Sequence, residues 1–336
     1  MQRRQRKKSR PRIGRNGGRA RCINGCYDPR AMAKRKPIRK IYSPMVWPTW
    51  LIVGCAWLVA RLPLGAIFAL GLGLGKLFYR FGGSRSRITE INIERCFGEL
   101  SVSAREELVR SNLIQVATGI LEMTIPWLNP GRDLSDRFDV HGVEHLQKAC
   151  AQGRGVVLVG AHFAAMDIIL QPLSKAGPID LMYRFNKNPV WEWLQVRGRR
   201  HFFSGVIERE DTRQILKRLK QGRAIWYAAD QDYGRKHSVL VPFFGIEAAT
   251  IVATSRFAKL NGSAVVFLRQ TRDIKARRWS LNFRPAPDGF PTGDDVTDAT
   301  LMNTLIESEI RLHPDQYLWL HRRFKTRPEG DAPFYD

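Results

Sequence analysis

From residue 138 onward the chain repeats one pattern. Short runs rich in β-branched and aromatic residues alternate with amphipathic stretches of helical spacing. The runs are GVVLVGA (155–161), PIDLMY (178–183), RAIWYAA (223–229), SAVVFLRQ (263–270) and WSLNF (279–283), and helical patterns lie near 164–176, 189–200, 211–221, 249–260 and 298–312. Continuous apolar runs of this length suit strands buried on both faces, and the intervening helices are what would cover them. The fold class expected is therefore α/β, with a mostly parallel central sheet flanked by helices. Ahead of it, Ser103 and Glu106 read as a capping box for a helix carrying Leu108, Leu113, Val116, Ile120 and Met123, which Pro126 would end.

A different constraint acts near the N-terminus. Residues 46–75 (VWPTWLIVGCAWLVARLPLGAIFALGLGLG) contain one charge, Arg61, and Lys76, Arg80, Arg85 and Arg87 follow. The stretch has the apolarity of a membrane segment and is too long and too far from the start for a cleaved signal peptide. Arg61 and Pro63 divide it into halves that are each short of the ~20 residues a spanning helix needs. A shallow hairpin or a tilted re-entrant helix with both ends cytoplasmic competes with one true span, since basic residues flank both sides.

The net charge of +24 suggests nucleic-acid binding until it is located. Residues 1–40 hold 16 Lys+Arg and one acid, Asp28, whereas the remaining 296 positions hold 39 basic and 30 acidic residues. The excess is largely an N-terminal tail without apolar periodicity, expected to be disordered and suited to anionic lipid headgroups. A start at Met32 or Met45 would remove most of it. With 44% hydrophobic residues and nine Trp, the rest can bury enough surface to fold.

Cys22, Cys26, Cys55, Cys96 and Cys150 show no disulfide or zinc spacing, in keeping with a reducing compartment. Gly71, Gly73 and Gly75 look like part of a nucleotide fingerprint, but no strand precedes them, and the i, i+4 pair Gly71/Gly75 suits close helix packing in a membrane. DVHGVEHL matches an inverted zinc-protease motif through His141, Glu144 and His145. Gly142 there reads as a strand-to-helix turn, which breaks the continuous helix such a site requires. No G-x-S-x-G occurs, which argues against an α/β serine hydrolase.

GRGVVLVGAHFAAMD is the most informative element. It delivers His162 at the C-terminal end of a buried strand, where open α/β sheets collect ligands, and Asp167 follows five residues later in what reads as the start of a helix. An aspartate reaching back to Nδ1 would fix the tautomer and support the imidazolium formed when Nε2 takes a proton. That is a general base with its orienting carboxylate; the same spacing also fits a histidine ending a strand and an aspartate capping a helix.

The chain, over roughly residues 40–336, resembles the late acyltransferases of lipid A biosynthesis (the lauroyl/myristoyl family) and, more distantly, glycerolipid acyltransferases with an H-x4-D/E signature. AHFAAMD carries that signature, and YRFNKNP (183–189), DQDYG (230–234), SVLVPFFG (238–245), AAT (248–250) and QYLWLHRRFKTRPEG (316–330) follow in order. The resemblance implies transfer of a fatty acyl group from acyl carrier protein to a hydroxyl of a phosphorylated lipid A precursor of the Kdo-lipid IVA type. His162 and Asp167 would be catalytic, and no metal or cofactor would be needed beyond the acyl carrier protein as co-substrate. The oxyanion donors are not identifiable from the sequence; backbone N–H groups just after His162 and a nearby arginine are candidates. Arg184, Asn188, Arg209, Asp230, Gln231 and Asp232 would contact substrate, although Asn188 also suits a helix cap and the two aspartates a magnesium site.

The resemblance further implies a bacterial inner-membrane location with the catalytic domain on the cytoplasmic face, and no nucleic-acid partner. The expected organisation is a basic tail (1–40), a membrane-anchoring segment (44–80), a helical connection (81–128), a glycerolipid-acyltransferase-like domain (129–328) and a short C-terminal tail (329–336). Two other readings compete. One keeps the chemistry with a lysophospholipid or other glycerolipid acceptor, against which the Glu-Gly-Thr-Arg phosphate motif is missing. The other is a membrane-tethered nucleic-acid binder driven by the tail.

Overall fold

Period-two alternation along the buried runs dictates the layering. In the computed structural model, which describes residues 38–335, Val157 and Val159 face one hydrophobic core and Val156 and Leu158 the other. A sheet with two apolar faces needs helices on both. The predicted basic tail lies almost wholly outside the described residues.

The elements in order are α1 (Trp47–Val59), α2 (Leu64–Phe81), α3 (Gly83–Cys96), α4 (Val102–Glu122), α5 (Thr124–Leu128), β1 (Phe138–His141), α6 (Val143–Ala151), β2 (Val156–Gly160), α7 (Leu170–Ala176), β3 (Ile179–Tyr183) and α8 (Pro189–Phe202). They continue as β4 (Val206–Glu208), α9 (Thr212–Lys220), β5 (Ala224–Ala228), β6 (Ser238–Phe243), β7 (Ile246–Ile251), α10 (Ala253–Asn261), β8 (Ala264–Asp273), β9 (Arg278–Pro285) and α11 (Asp295–Leu312). Seven strands form one sheet in the order β1-β9-β8-β2-β5-β3-β4, while β6 and β7 pair as a separate hairpin. Only β8 and β9 are antiparallel within the large sheet, so the expected mostly parallel sheet is what forms.

All five predicted runs are strands of that sheet. Four local expectations need correction. The cap of α4 is Ser101, whose hydroxyl accepts from the Ala104 N–H at 3.2 Å, and not Ser103. Its helix ends at Glu122, and Pro126 lies in the separate α5. The segment after His162 runs through turns until α7 begins at Leu170, so Asp167 is not inside a helix. The stretch 249–251 belongs to β7, with α10 starting at Ala253.

The apolar N-terminal stretch breaks into α1 and α2 around Arg61 and Pro63, as the sequence predicts. Neither helix is detached from the domain. Thr49 and Val53 of α1 are buried on the side of α5 and α8, with the Trp50 and Trp193 rings 5.7 Å apart, and α2 lies along α4. A Cβ on Gly71 would stand 2.3 Å from Thr118 Oγ1, and one on Gly75 2.4 Å from Ile114 Cα. The expected close helix packing at these glycines is therefore made within the chain. His141 and His145 are separated by the turn at Gly142, which has φ +69°, as the sequence indicates.

Candidate active site

The site is built from strand register. β2 and β5 are parallel neighbours with Gly160 opposite Ala228, and each chain continues two residues further before turning. Those residues are His162 and Asp230. Parallel register carried past the strand ends brings them side by side in the crevice where α/β sheets bind ligands.

His162 Nδ1 lies 2.6 Å from Asp230 Oδ1, and the His162 backbone N–H donates to Oδ2 at 3.1 Å. Burial pushes the Asp230 carboxyl up, but the adjacent imidazole and hydrogen bonds from the His162 ring, the His162 backbone and the Tyr317 hydroxyl outweigh it and hold the group down to about 2. An ionised carboxylate can only accept, so the ring proton sits on Nδ1. That tautomer leaves Nε2 with a lone pair, on a side chain 21% exposed beside a partner that is 2% exposed.

The strand-end loop is clamped by the C-terminal segment. Leu318 N–H donates to His162 O at 2.8 Å and Ala164 N–H to Gln316 O at 2.7 Å, forming an antiparallel bridge between Phe163 and Tyr317. Asn112 of α4 in turn donates to the carbonyls of Asp315 and Tyr317, and Asn92 of α3 to those of Trp319 and His321. The motif QYLWLHRRF is thus the backing of the histidine loop. Phe163 N–H donates to Ala161 O, so neither it nor the Ala164 N–H is available as the expected oxyanion donor.

Asp167 is not the partner of His162. Its Oδ1 accepts from Arg199 Nε at 3.2 Å and Nη2 at 3.0 Å, and both side chains are about one-tenth exposed. With 164–169 in turns and Ala164 tied to Gln316, Asp167 is presented to α8, and the Arg199 fork captures it. The carboxylate that orients the histidine comes instead from DQDYG, 68 residues further along the chain.

The other predicted residues divide. Arg209 is half-buried with its guanidinium 5.1 Å from the centre of the Tyr233 ring, and Arg184 is exposed at the end of β3. Both guanidiniums act electrostatically on the Tyr233 hydroxyl, as does Asp230, which puts all four groups in one neighbourhood. Asn188 is the cap of α8: its Oδ1 accepts from Val190 N–H, while its Nδ2 donates to Thr49 Oγ1 at 2.9 Å. Asp232 accepts from the N–H and hydroxyl of Thr326 and from Gly234 N–H. These bonds tie Asp232 to the C-terminal segment and Asp230 to the histidine. Gln231 is half-buried between them.

His321 belongs to the same cluster and escaped the sequence reading. Its Nε2 accepts from Asp232 N–H at 3.2 Å, and burial pushes the imidazole down to about 4, so it is neutral at pH 7.

Residues 34–326 match the bacterial lipid A biosynthesis acyltransferase family. The chain is 40% identical over 291 residues to the lipid A biosynthesis lauroyltransferase of Escherichia coli K12, covering 86% of this chain and 95% of that one. It is 36% identical over 298 residues to the palmitoleoyltransferase of the same strain, covering 88% and 97%, and 29% identical over 294 residues to its myristoyltransferase, covering 87% and 91%.

Proposed function

Since the chain belongs to the bacterial lipid A biosynthesis acyltransferase family, we propose that it moves a fatty acyl chain from acyl carrier protein to a hydroxyl of a phosphorylated, Kdo-bearing lipid A precursor. The reaction takes place at the cytoplasmic face of the inner membrane. The observation that carries this reading is the His162–Asp230 pair, with Nδ1 committed to the carboxylate and Nε2 free for a substrate proton.

A sugar hydroxyl is a poor nucleophile until its proton has somewhere to go. His162 Nε2 takes that proton as the oxygen attacks the thioester carbonyl carbon, and Asp230 stabilises the imidazolium. The tetrahedral adduct collapses by breaking the C–S bond, and His162 returns the proton to the departing sulfur. One ester forms and one thiol is released, so the atoms balance without a further reactant. A guanidinium is the fitting partner for the oxyanion, because the nearest backbone donors are already spent.

Arg184 and Arg209 suit an anionic acceptor, since planar guanidiniums bind phosphate and carboxylate in bidentate fashion. Gln231 between the aspartates is suited to a sugar hydroxyl. Asp167 serves the site by fixing Arg199.

The test is a detergent assay with a phosphorylated lipid A precursor and acyl carrier proteins loaded with chains of about 10 to 16 carbons, read by product mass. One added acyl group, absent with His162→Ala, is the expected result. Transfer only to a lysophospholipid would replace the acceptor in this reading, and full activity of His162→Ala would remove the base.

A further inference from the structure

We infer that α1 and α2 lie in the plane of a single leaflet of an anionic bilayer and that the chain does not cross it. This deepens the membrane location proposed above and rests on it.

Exposed apolar side chains concentrate where such a surface would be. Among the described residues, 12 of the 19 large hydrophobic side chains exposed to solvent fall between Tyr42 and Phe81. On α1 they include Leu51 and Leu58, and on α2 Leu70, Leu77 and Phe81. Between Asp28 and Glu90 the sequence has no acidic residue, while Lys40, Arg61, Lys76, Arg80, Arg85 and Arg87 punctuate the described part. Apolar faces edged only by cations match the acyl boundary and negative headgroups of a leaflet. Trp57, with the Arg61 guanidinium 3.5 Å from its ring centre, supplies an amphipathic anchor at the turn between the helices.

α2 has the length and apolarity of a spanning helix, but the opposite faces of both helices argue against a crossing. A spanning helix has lipid or membrane-embedded protein on all sides, but α2 buries Ile67, Phe68, Gly71 and Gly75 on its protein side, and the two glycines admit no separation without opening a void along α4. Nor can α4 follow α2 into hydrocarbon. It carries Asn112, bonded to the carbonyls of Asp315 and Tyr317, and Glu122, whose buried carboxylate faces Arg272. Those polar groups belong to the domain that holds the histidine loop. On α1, Thr49 Oγ1 accepts from Asn188 at the start of α8, and its 13 residues reach about 20 Å, short of the ~30 Å core. The same α4 that receives α2 presses Gly119 against the Ala164 carbonyl, so one helix layer separates the proposed lipid-facing element from the catalytic loop.

Single thiols test this in the full chain, with the native cysteines replaced by serine: Lys40→Cys before α1, Arg61→Cys at the turn, and Lys148→Cys on the catalytic domain as the reference. A membrane-impermeant maleimide is applied to right-side-out and inside-out inner-membrane vesicles. All three are expected to label from the same side only. Labelling of Lys40→Cys from the other side would show one crossing, and of Arg61→Cys alone a hairpin through the bilayer; either overturns the inference. Neither readout depends on turnover, so failure here is separable from failure of the proposed activity.

A second measurement needs no cysteine background. Full chain bearing Leu51→Glu, Leu70→Glu and Leu77→Glu should bind vesicles of phosphatidylcholine with one quarter phosphatidylglycerol at least tenfold more weakly than the unmodified chain, with its thermal unfolding unchanged. Undiminished binding would overturn the proposal.

Discussion

His162 and Asp230 stand 2.6 Å apart because they occupy equivalent positions, two residues beyond the register pair Gly160 and Ala228, on adjacent parallel strands. The backbone of one strand therefore sets the tautomer of a side chain on its neighbour. Asp230→Asn tests this without changing shape. The amide would turn its NH2 toward Nδ1 and drive the ring proton to Nε2, removing the proposed base. Turnover is expected to fall about a thousandfold with the circular dichroism spectrum unchanged. A loss below tenfold, measured under saturating donor and acceptor, would show that the carboxylate does not govern the tautomer.

The Asp167–Arg199 pair calls for a different experiment. Both groups are about nine-tenths buried, so removing either strands a charge, at a cost of about 3–5 kcal/mol. Asp167→Ala and Arg199→Ala should each lower stability and turnover, while the double variant should be no worse than the poorer single one. Arg199→Lys should rescue little, since both Nε and Nη2 are used. Denaturant melts and steady-state rates on the four proteins complete the cycle, and additive losses would mean the two residues act separately.

Why His162 was legible and its partner was not is a question of range. A buried run ending in histidine is a local signal, and so is RAIWYAA ending in Asp230. That β5 lies beside β2, with β3 beyond it, is a topological fact no local pattern carries. The H-x4-D spacing pointed to Asp167, but that reading depended on a helix starting at once, and the Ala164–Gln316 bond replaces it with turns. The β6–β7 hairpin escaped for a chemical reason: its two-residue turn is Phe244-Gly245, both at positive φ, where asparagine or aspartate would have announced it. By contrast the helix cap at Asn188, the break at Arg61–Pro63 and the turn at Gly142 depend on one or two residues each, and were readable in the chain.

Three glycines of α2 look alike in sequence and differ in space. Gly71→Ala and Gly75→Ala each place a methyl carbon against α4 at under 2.5 Å and should cost about 1–3 kcal/mol. Gly73 has nothing within 4 Å of such a carbon, so Gly73→Ala should be neutral or stabilise by up to about 1 kcal/mol through helix propensity. Thermal melts in detergent should separate the three, and equal effects would mean that α2 does not rest on α4.

The neutral His321 gives the site a pH signature in stability. Burial comes first among the causes that lower its pKa, with the neighbouring His162 and Arg323 acting in the same direction and Asp230 and Asp232 opposing them. Its ordinary value of 6.5 falls to about 4 on folding, so between these pH values the unfolded chain binds more protons than the folded one. Stability from this group is therefore complete above about 6.5 and is lost as pH falls towards 4, amounting to a few kcal/mol. Asp230 has a depressed pKa and loses its contribution lower still, between 3.8 and about 2, while Glu122, raised by burial to about 7, acts in the opposite sense between 7 and 4.5. The comparison must then be with a variant that leaves those groups alone. His321→Gln keeps an acceptor for the Asp232 N–H and cannot titrate. Measured by denaturant unfolding, the stability difference between the two proteins should shift in favour of the glutamine form as pH drops from 7 to 4, and a difference independent of pH would mean that His321 is not held neutral by the fold.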